Sequence, residues 1–436
     1  MDGRELNRLR TQDFGPDERA VSPSQRLRQR FHPPTRWLRF AQELMRLPTA
    51  PFHEQNVMLW VWQFAKNRGL PVRCDEAGNI VVEFVPEKPD QRLKRLMFTA
   101  HMDHIGFWAV EQKGEGLLRA HWMGRYPEEL FVGSRVVFWT GGKGLDQIEP
   151  GLMNDEGVSR RLRIGGRRVT AVVERVVSFN SAGDVAEVDL RVDGAVEPGS
   201  IGMWDLGEPI TLNGRMSAPA VDDLAGVAAL VCLMDSLKRG ELRRPVTCLF
   251  TRCEEGGFFG AIRYCRENFD GQQDERTLTD LVVSVETSKA LPLTPLGSGP
   301  IVRVGDRSGI FDPEVCAWAE QCAAGLCEQH KDFTFQRRLM DGGTCESSVF
   351  QAWTGKAGAV CIPLGNYHNY NRETGKLDSE VIDVSDWGNL VRLMMSMTER
   401  IETSGGIYEQ FRGWCERWED EHRFLYREPD RAGPVD

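Results

Sequence analysis

Apolar residues recur at helical spacing in Trp37, Phe40, Leu44 and Leu47, which predicts a helix from about Thr35. A second helix is expected over about 54–67, and its Trp60, Trp62 and Phe64 read as core residues. Beyond it the pattern changes to short apolar β-like runs, each leading into a polar cluster. Residues 95–100 lead to His101-Met102-Asp103, 246–251 to Glu254-Glu255, 281–285 to Glu286, and 359–362 toward His368. Helical patterns at 224–238, 258–268 and 313–330 separate several of these runs. Apolar strands alternating with helices predict an α/β fold, a mainly parallel central sheet flanked by helices. Ligands of such sheets bind beyond the carboxyl ends of the strands, where these clusters fall.

One interval departs from the alternation. Residues 114–213 show period-two patterning and many glycines but no amphipathic helix, with the clearest strands at 167–173 and 185–192. This predicts an all-β subdomain inserted into the α/β one. The expected organisation is a mobile N-terminal tail (1–33), a discontinuous catalytic domain (34–113 and 214–404), the β-rich insert (114–213) and a C-terminal helical extension (405–436). The basic run Arg160, Arg161, Arg163, Arg167 and Arg168 reads as a solvated face of the insert, with a partner surface as the alternative. Near the end, amphipathic patterns at 384–402 and 407–422 are punctuated by Gly405-Gly406, and the second carries Trp414 and Trp418.

Composition narrows the class. A chain of 436 residues, 41% hydrophobic, has ample core for two or three domains at about 150 residues each. A net charge of −10 argues against an electrostatic nucleic-acid binder. No run approaches the roughly 18 apolar residues of a transmembrane helix. Met1 is followed by Asp2, Gly3, Arg4 and Glu5, so no secretory signal is expected and the predicted location is the cytoplasm. The 11 cysteines are odd in number, form no Cys-x-x-Cys pair, and lie partly in apolar runs, as expected of free thiols in a reducing compartment. Metal binding would therefore fall to carboxylates and the 8 histidines.

Five clusters carry candidate chemistry. His101 ends a strand with Asp103 two residues on, the spacing of a metal ligand and an orienting acid. Asp222-Asp223 opens a helix, so the pair reads either as a cap with favourable dipole charge or as a ligand beside a turn-fixing neighbour. In Glu254-Glu255-Gly256-Gly257 the adjacent side chains diverge, so one can bind a metal while the other faces a water; a solvated acid pair is the other reading. Glu286 follows a strand that should be buried and needs a strong partner there. His368 stands in a loop after another strand. His32, His53, His121, His330 and His422 lack a comparable setting, and His104 lies beside the site without a clear role.

The succession His, Asp-Asp, Glu-Glu, Glu, His at strand ends resembles the dinuclear metallopeptidases. Within them it is most similar to family forty-two, the glutamyl and tetrahedral aminopeptidases, some once labelled endoglucanases. The resembling stretches are 100–107 around His101, 221–226 around Asp222, 251–261 around Glu254-Glu255, and Asp75-Glu76-Ala77-Gly78-Asn79, within a similarity spanning about 37–400. The resemblance implies that Asp222 bridges two divalent ions, zinc or else cobalt or manganese. His101 and Glu286 would complete one site, and Glu255 and His368 the other. Glu254 would be the general acid/base, Asp103 the partner of His101, and Asp223 would follow a cis peptide. Two divalent charges against three carboxylates and a bridging hydroxide balance to zero.

The implied function is a metal-dependent aminopeptidase that hydrolyses N-terminal residues of peptides with a two-metal-activated water. The implied partners are a peptide substrate and further copies of the chain, joined through the inserted β subdomain, with no nucleic acid and no membrane. An amidase or deacylase on the same scaffold is the alternative, and a non-catalytic binding protein the less favoured one, since a structural metal site needs no spare Glu254. No Gly-x-Ser-x-Gly, P-loop or Gly-x-Gly-x-x-Gly motif points to another class. Around the substrate pocket the chain departs from the family. Cys345-Glu346 follows Gly343-Thr344 where a Gly-Thr-Asp motif is common, Gly365-Asn366 stands in place of an Arg-Tyr pair, and His104 replaces a glutamate.

Overall fold

The computed structural model describes residues 30–85, 95–114, 116–141, 166–237, 245–270, 281–400 and 406–423. Helices α1 (Thr35–Met45) and α2 (Gln55–Asn67) open the α/β body, followed by strands β1 (Val72–Cys74), β2 (Ile80–Phe84) and β3 (Leu96–His101). The α1 stripe Trp37, Phe40, Ala41, Leu44 and Met45 is buried, as its spacing predicts.

The chain then leaves the body for six strands, β4 (Gly106–Gln112), β5 (Leu117–Met123), β6 (Arg135–Thr140), β7 (Arg167–Phe179), β8 (Val185–Val192) and β9 (Ile201–Trp204). They close into a barrel in the order β4-β5-β8-β7-β6-β9. Alternation sends Phe107, Leu118, Trp122, Phe138, Val188 and Trp204 inward to fill it. The barrel starts at Gly106, ahead of the expected boundary at 114, because Phe107 and Ala109 already face its core. Of the basic run, Arg160, Arg161 and Arg163 lie outside the described residues.

On its return the chain forms β10 (Ile210–Leu212), β11 (Arg215–Ala218), α3 (Leu224–Ser236), β12 (Val246–Thr251), α4 (Phe259–Asn268), β13 (Leu281–Lys289) and β14 (Ile301–Gly305). There follow α5 (Pro313–Gln329), β15 (Gln336–Leu339), α6 (Glu346–Thr354), β16 (Ala357–Leu364), the hairpin β17 (Tyr370–Asn371) and β18 (Lys376–Leu377), β19 (Glu380–Asp383), α7 (Val384–Glu399) and α8 (Ile407–His422). The main sheet has eight strands in the order β1-β2-β12-β3-β13-β16-β14-β15. Its centre, β12-β3-β13-β16, is parallel throughout. β2 and β14 flank it antiparallel, a mixture that the sequence pattern does not disclose. One face packs on α1, α3, α5 and α7, the other on α4 and α6. Helix α3 is buried on every side from Leu224 to Met234, lying between the sheet and helices α1 and α7.

Of the segment 1–33 expected to be a mobile tail, residues 1–29 lie outside the described residues, and 30–33 are ordered. Arg30 Nη2 reaches Asp383 Oδ2 at 2.5 Å and Phe31 N donates to Ser385 Oγ at 3.1 Å, so this segment is anchored to the start of α7. At the other end, Phe411, Trp414 and Trp418 of α8 stack in succession along one side of the helix. Among the described residues no helix is long and apolar enough to cross a membrane.

Candidate metal centre

The parallel strands bring the candidate residues to one end of the sheet. His101 closes β3 in register with Thr251 of β12, just before Glu254-Glu255. Glu286 lies within β13, Asp222 in the turn between β11 and α3, and His368 in the loop after β16. Two groups of donors result, His101-Asp222-Glu286 and Asp222-Glu255-His368, each within 4.8 Å. Asp222 belongs to both: Oδ1 lies 3.5 Å from His101 Nε2 and Oδ2 lies 3.6 Å from His368 Nε2. Glu286 Oε2 is 4.0 Å from His101 Nε2, and Glu255 Oε1 is 3.1 Å from His368 Nε2.

These residues fit a pair of divalent ions. Two ligands 2.0–2.1 Å from a tetrahedral ion stand about 3.4 Å apart, within the range of the donor separations here. Glu255 Oε1 and His368 Nε2 are buried and face each other at 3.1 Å, yet neither makes a hydrogen bond of good geometry among the described residues, as expected of atoms aimed at a cation. Imidazole nitrogens with carboxylate oxygens are a zinc-type donor set.

The electrostatics point the same way. Burial pushes Glu254 well above its ordinary range, with Glu255, Glu286 and Asp103 adding repulsion against the pull of His101. Burial likewise raises Glu286 to about 7. For His101, burial works downward, but Asp103 and Asp222 outweigh it and hold the ring well above its usual value. His368 is raised in the same manner, with Glu255 and Asp222 overcoming burial. Asp222 is lowered because its contacts with both histidines exceed the cost of burial. The cluster is thus short of positive charge, which bound cations supply while displacing protons from the rings.

Asp103 has more contacts than the spacing suggests. Its Oδ1 lies 3.4 Å from His101 Nδ1, whose nearer partner is the Asp103 main-chain oxygen at 3.1 Å. Its carboxylate also accepts the main-chain N–H groups of Glu254 at 2.9 Å and Glu255 at 3.0 Å, so one side chain orders both the histidine and the acid pair. Glu254 itself belongs to neither triad. The adjacent aspartates divide their work. Asp222 faces the centre, while Asp223, after a cis peptide, caps α3 by accepting from Gly226 N at 3.0 Å. A Cβ on Gly226 would lie 2.2 Å from Asp223 Oδ2, which is why glycine stands there.

Of the residues surrounding the centre, Glu54 and Glu380 escape the sequence reading, and Asn79, Glu346 and His104 gain roles that it does not supply. Glu54, at the α2 N-cap, accepts from Phe52 N (2.9 Å), Cys253 N (3.0 Å) and Arg252 Nε (2.7 Å), bracketing the start of the acidic loop. Asn79, anchored on Asp75, accepts from Arg252 N at 3.0 Å, which gives the 75–79 motif its place. Glu346, in the departing motif, is fully buried and accepts from Thr251 Oγ1 at 2.8 Å. Glu380 and His104, both buried, contact the backbone of Asp222. Glu54 and Glu380 are marked in the sequence only as acids in an otherwise apolar or turn-like stretch, a signal that many solvated acids share.

Residues 78–393 match the family model described as M42 glutamyl aminopeptidase. An Acetivibrio thermocellus protein whose aminopeptidase name is provisional is 24% identical over 330 residues, 74% of this chain and 87% of its own. Among solved structures, an aminopeptidase of the archaeon Desulfurococcus kamchatkensis aligns with TM-score 0.65 and 21% identity, covering 85% of this chain and 97% of that one. A TET peptidase of Pyrococcus horikoshii, which can assemble into a tetrahedron or a large octahedral shell, aligns with TM-score 0.63 and 21% identity over 84% and 99%. These structural likenesses show the shared fold.

Proposed function

The chain belongs to the M42 glutamyl aminopeptidase family and is a metal-dependent aminopeptidase; on that premise we propose that His101, Asp222 and Glu286 hold one divalent ion and Asp222, Glu255 and His368 a second. The observation that carries the assignment is the pair of triads sharing the two oxygens of Asp222. The donor set favours zinc, with cobalt or manganese able to substitute. When bound, two such ions supply Lewis acidity, lowering the pKa of a water and polarising the scissile carbonyl.

The remaining roles fall to the protein. Glu254, beside both triads and a member of neither, takes the proton from the attacking water and returns it to the departing amine. Its raised affinity for protons, caused by burial among carboxylates, suits a group that holds a proton between the two steps. Asp103 fixes Glu254 and Glu255 through their main-chain N–H groups. The substrate is a peptide with a free amino terminus. The barrel serves as an assembly surface for a homo-oligomer, a reading supported by the assemblies named for the Pyrococcus peptidase. All 11 cysteines are free, which supports a reducing cytoplasm as the working compartment.

The test is metal content together with a substrate panel. Purified protein should carry two divalent ions per chain and hydrolyse aminoacyl chromogenic substrates but not their N-acetylated forms. Turnover confined to the N-acyl compounds would instead establish a deacylase. Light scattering before and after deletion of the barrel's exposed Phe179 side chain (Phe179→Ser) measures its part in assembly.

A further inference from the structure

The two triads are not equally well supported by the fold. His101 and Glu286 stand on adjacent strands of the main sheet, whereas Glu255 and His368 stand on loops. The loop carrying His368 is unusual, since Asn366, His368 and Asn369 adopt positive φ values of 52°, 56° and 62°. Non-glycine residues keep that conformation only where their surroundings fix it.

The surroundings that fix it also hold Asp222. Glu380, the first residue of β19, is 0% exposed. Its Oε1 accepts from His368 N at 2.8 Å, and its Oε2 accepts from Val221 N at 2.8 Å and Asp222 N at 2.9 Å. One carboxylate therefore joins the backbones of two ligands that come from distant parts of the chain. Beside it, His104 Nδ1 lies 2.6 Å from the Asp222 main-chain oxygen and Nε2 lies 3.1 Å from Asn369 Oδ1. Asn369 Nδ2 in turn donates to Pro219 O at 2.8 Å, which fixes the orientation of its amide and closes a second link between the same two segments. The hairpin β17–β18 separates His368 from Glu380, and its Tyr370 and Leu377 pack against the barrel core. The clamp thus closes the base of a loop whose outer part rests on the inserted subdomain.

We propose that Glu380 is a positioning residue that, with His104, clamps the Asp222 turn to the His368 loop and so sets the affinity for the second ion. This inference rests on the ligand assignment made above. It makes the effect unequal: loss of the clamp releases two ligands of the Asp222-Glu255-His368 site, whereas at the other site only the shared Asp222 is released and the sheet continues to hold His101 and Glu286. Outer partners of metal ligands are typically worth about 10- to 100-fold in affinity.

Metal-stripped wild type and Glu380→Gln are titrated with Co²⁺ by calorimetry and visible absorption, with thermal melting of the metal-free proteins as a control on folding. The expected result is a weaker-site affinity reduced about 10- to 100-fold in the variant, the tighter site changed less than about threefold, and kcat recovering at high Co²⁺. His104→Gln removes the other link and is held to the same outcome should Glu380→Gln fail to fold. Two unchanged affinities, or an equal loss at both sites, would overturn the clamp alone. A wild type unable to bind a pair of ions would overturn the ligand assignment on which it stands.

Discussion

Replacing Asp103 by asparagine tests how far one carboxylate organises the centre. Asp103 offers both oxygens to adjacent main-chain donors, Glu254 N at 2.9 Å and Glu255 N at 3.0 Å, and lies 3.4 Å from the His101 ring. Asparagine has one oxygen. However its amide is turned, an NH₂ group faces a main-chain N–H that cannot accept, and the side chain is 0% exposed, so water does not take over the role. A hydrogen bond to a charged group is worth about 1.5–3 kcal/mol, and the stranded donor adds a desolvation cost of about 1–3 kcal/mol. The metal-free variant should therefore lose about 3 kcal/mol or more of stability in urea unfolding. Loss of the charge next to His101 should also weaken metal binding about 10- to 100-fold. Unfolding curves and metal titrations on the stripped proteins read the two effects separately. A stability change under about 1 kcal/mol, together with metal affinity within twofold of wild type, would refute the reasoning.

Glu254→Gln keeps size and lies outside both triads, so it should retain two ions while kcat falls about 10²- to 10⁴-fold; metal analysis beside steady-state rates checks this, and undiminished turnover removes Glu254 from the mechanism. Trp387, 0% exposed and donating from Nε1 to Ala225 O at 2.9 Å, anchors α7 on α3; Trp387→Ala should cost about 3–5 kcal/mol in urea, and a loss below about 1 kcal/mol would show that the core collapses around it. Burial, opposed by His101 and reinforced by Glu286, pushes Glu346 up to about 8. Above its ordinary value of 4.5 the unfolded chain releases a proton that the metal-free fold keeps, so Glu346 stabilises the fold at low pH and that contribution is lost as pH rises toward about 8. Glu346→Gln should flatten the decline between those limits, and a variant whose urea midpoints follow wild type across the window would contradict the assignment.

The proposed ligand set is legible in the sequence because each candidate sits where an apolar strand or a fully buried helix meets a polar cluster. His101 at the end of β3 and Glu286 within β13 are polar residues on buried strands, where a strong partner is needed to offset the cost of burial. Glu380 and Glu54 carry no such mark. Their function is to receive main-chain N–H groups from Asp222, His368 and Cys253, and hydrogen bonds of this kind depend on how distant segments meet. The antiparallel placement of β2 and β14 was hidden for a similar reason, since a buried strand has the same pattern in either direction. Phe107 and Ala109 continue the apolar character of the body, so no turn signal marks the start of β4 in the sequence. Helix α6, a single short stretch from Glu346 to Thr354, offers too few turns for its periodicity to stand out.

The barrel is spliced between His101 and Asp222, and this determines the order in which the centre can be completed during synthesis. Among the described residues the six barrel strands pair only with one another, and all are made before Asp222 emerges, so this unit can close while the sheet is still unfinished. His101 then waits for every other ligand, and His368 arrives only after β16, the last central strand. At a synthesis rate of about 5–20 residues per second that interval lasts on the order of tens of seconds. Throughout it the emerging chain lacks one ligand of the proposed centre. A peptidase built in this order has no complete centre of its own until His368 has been made.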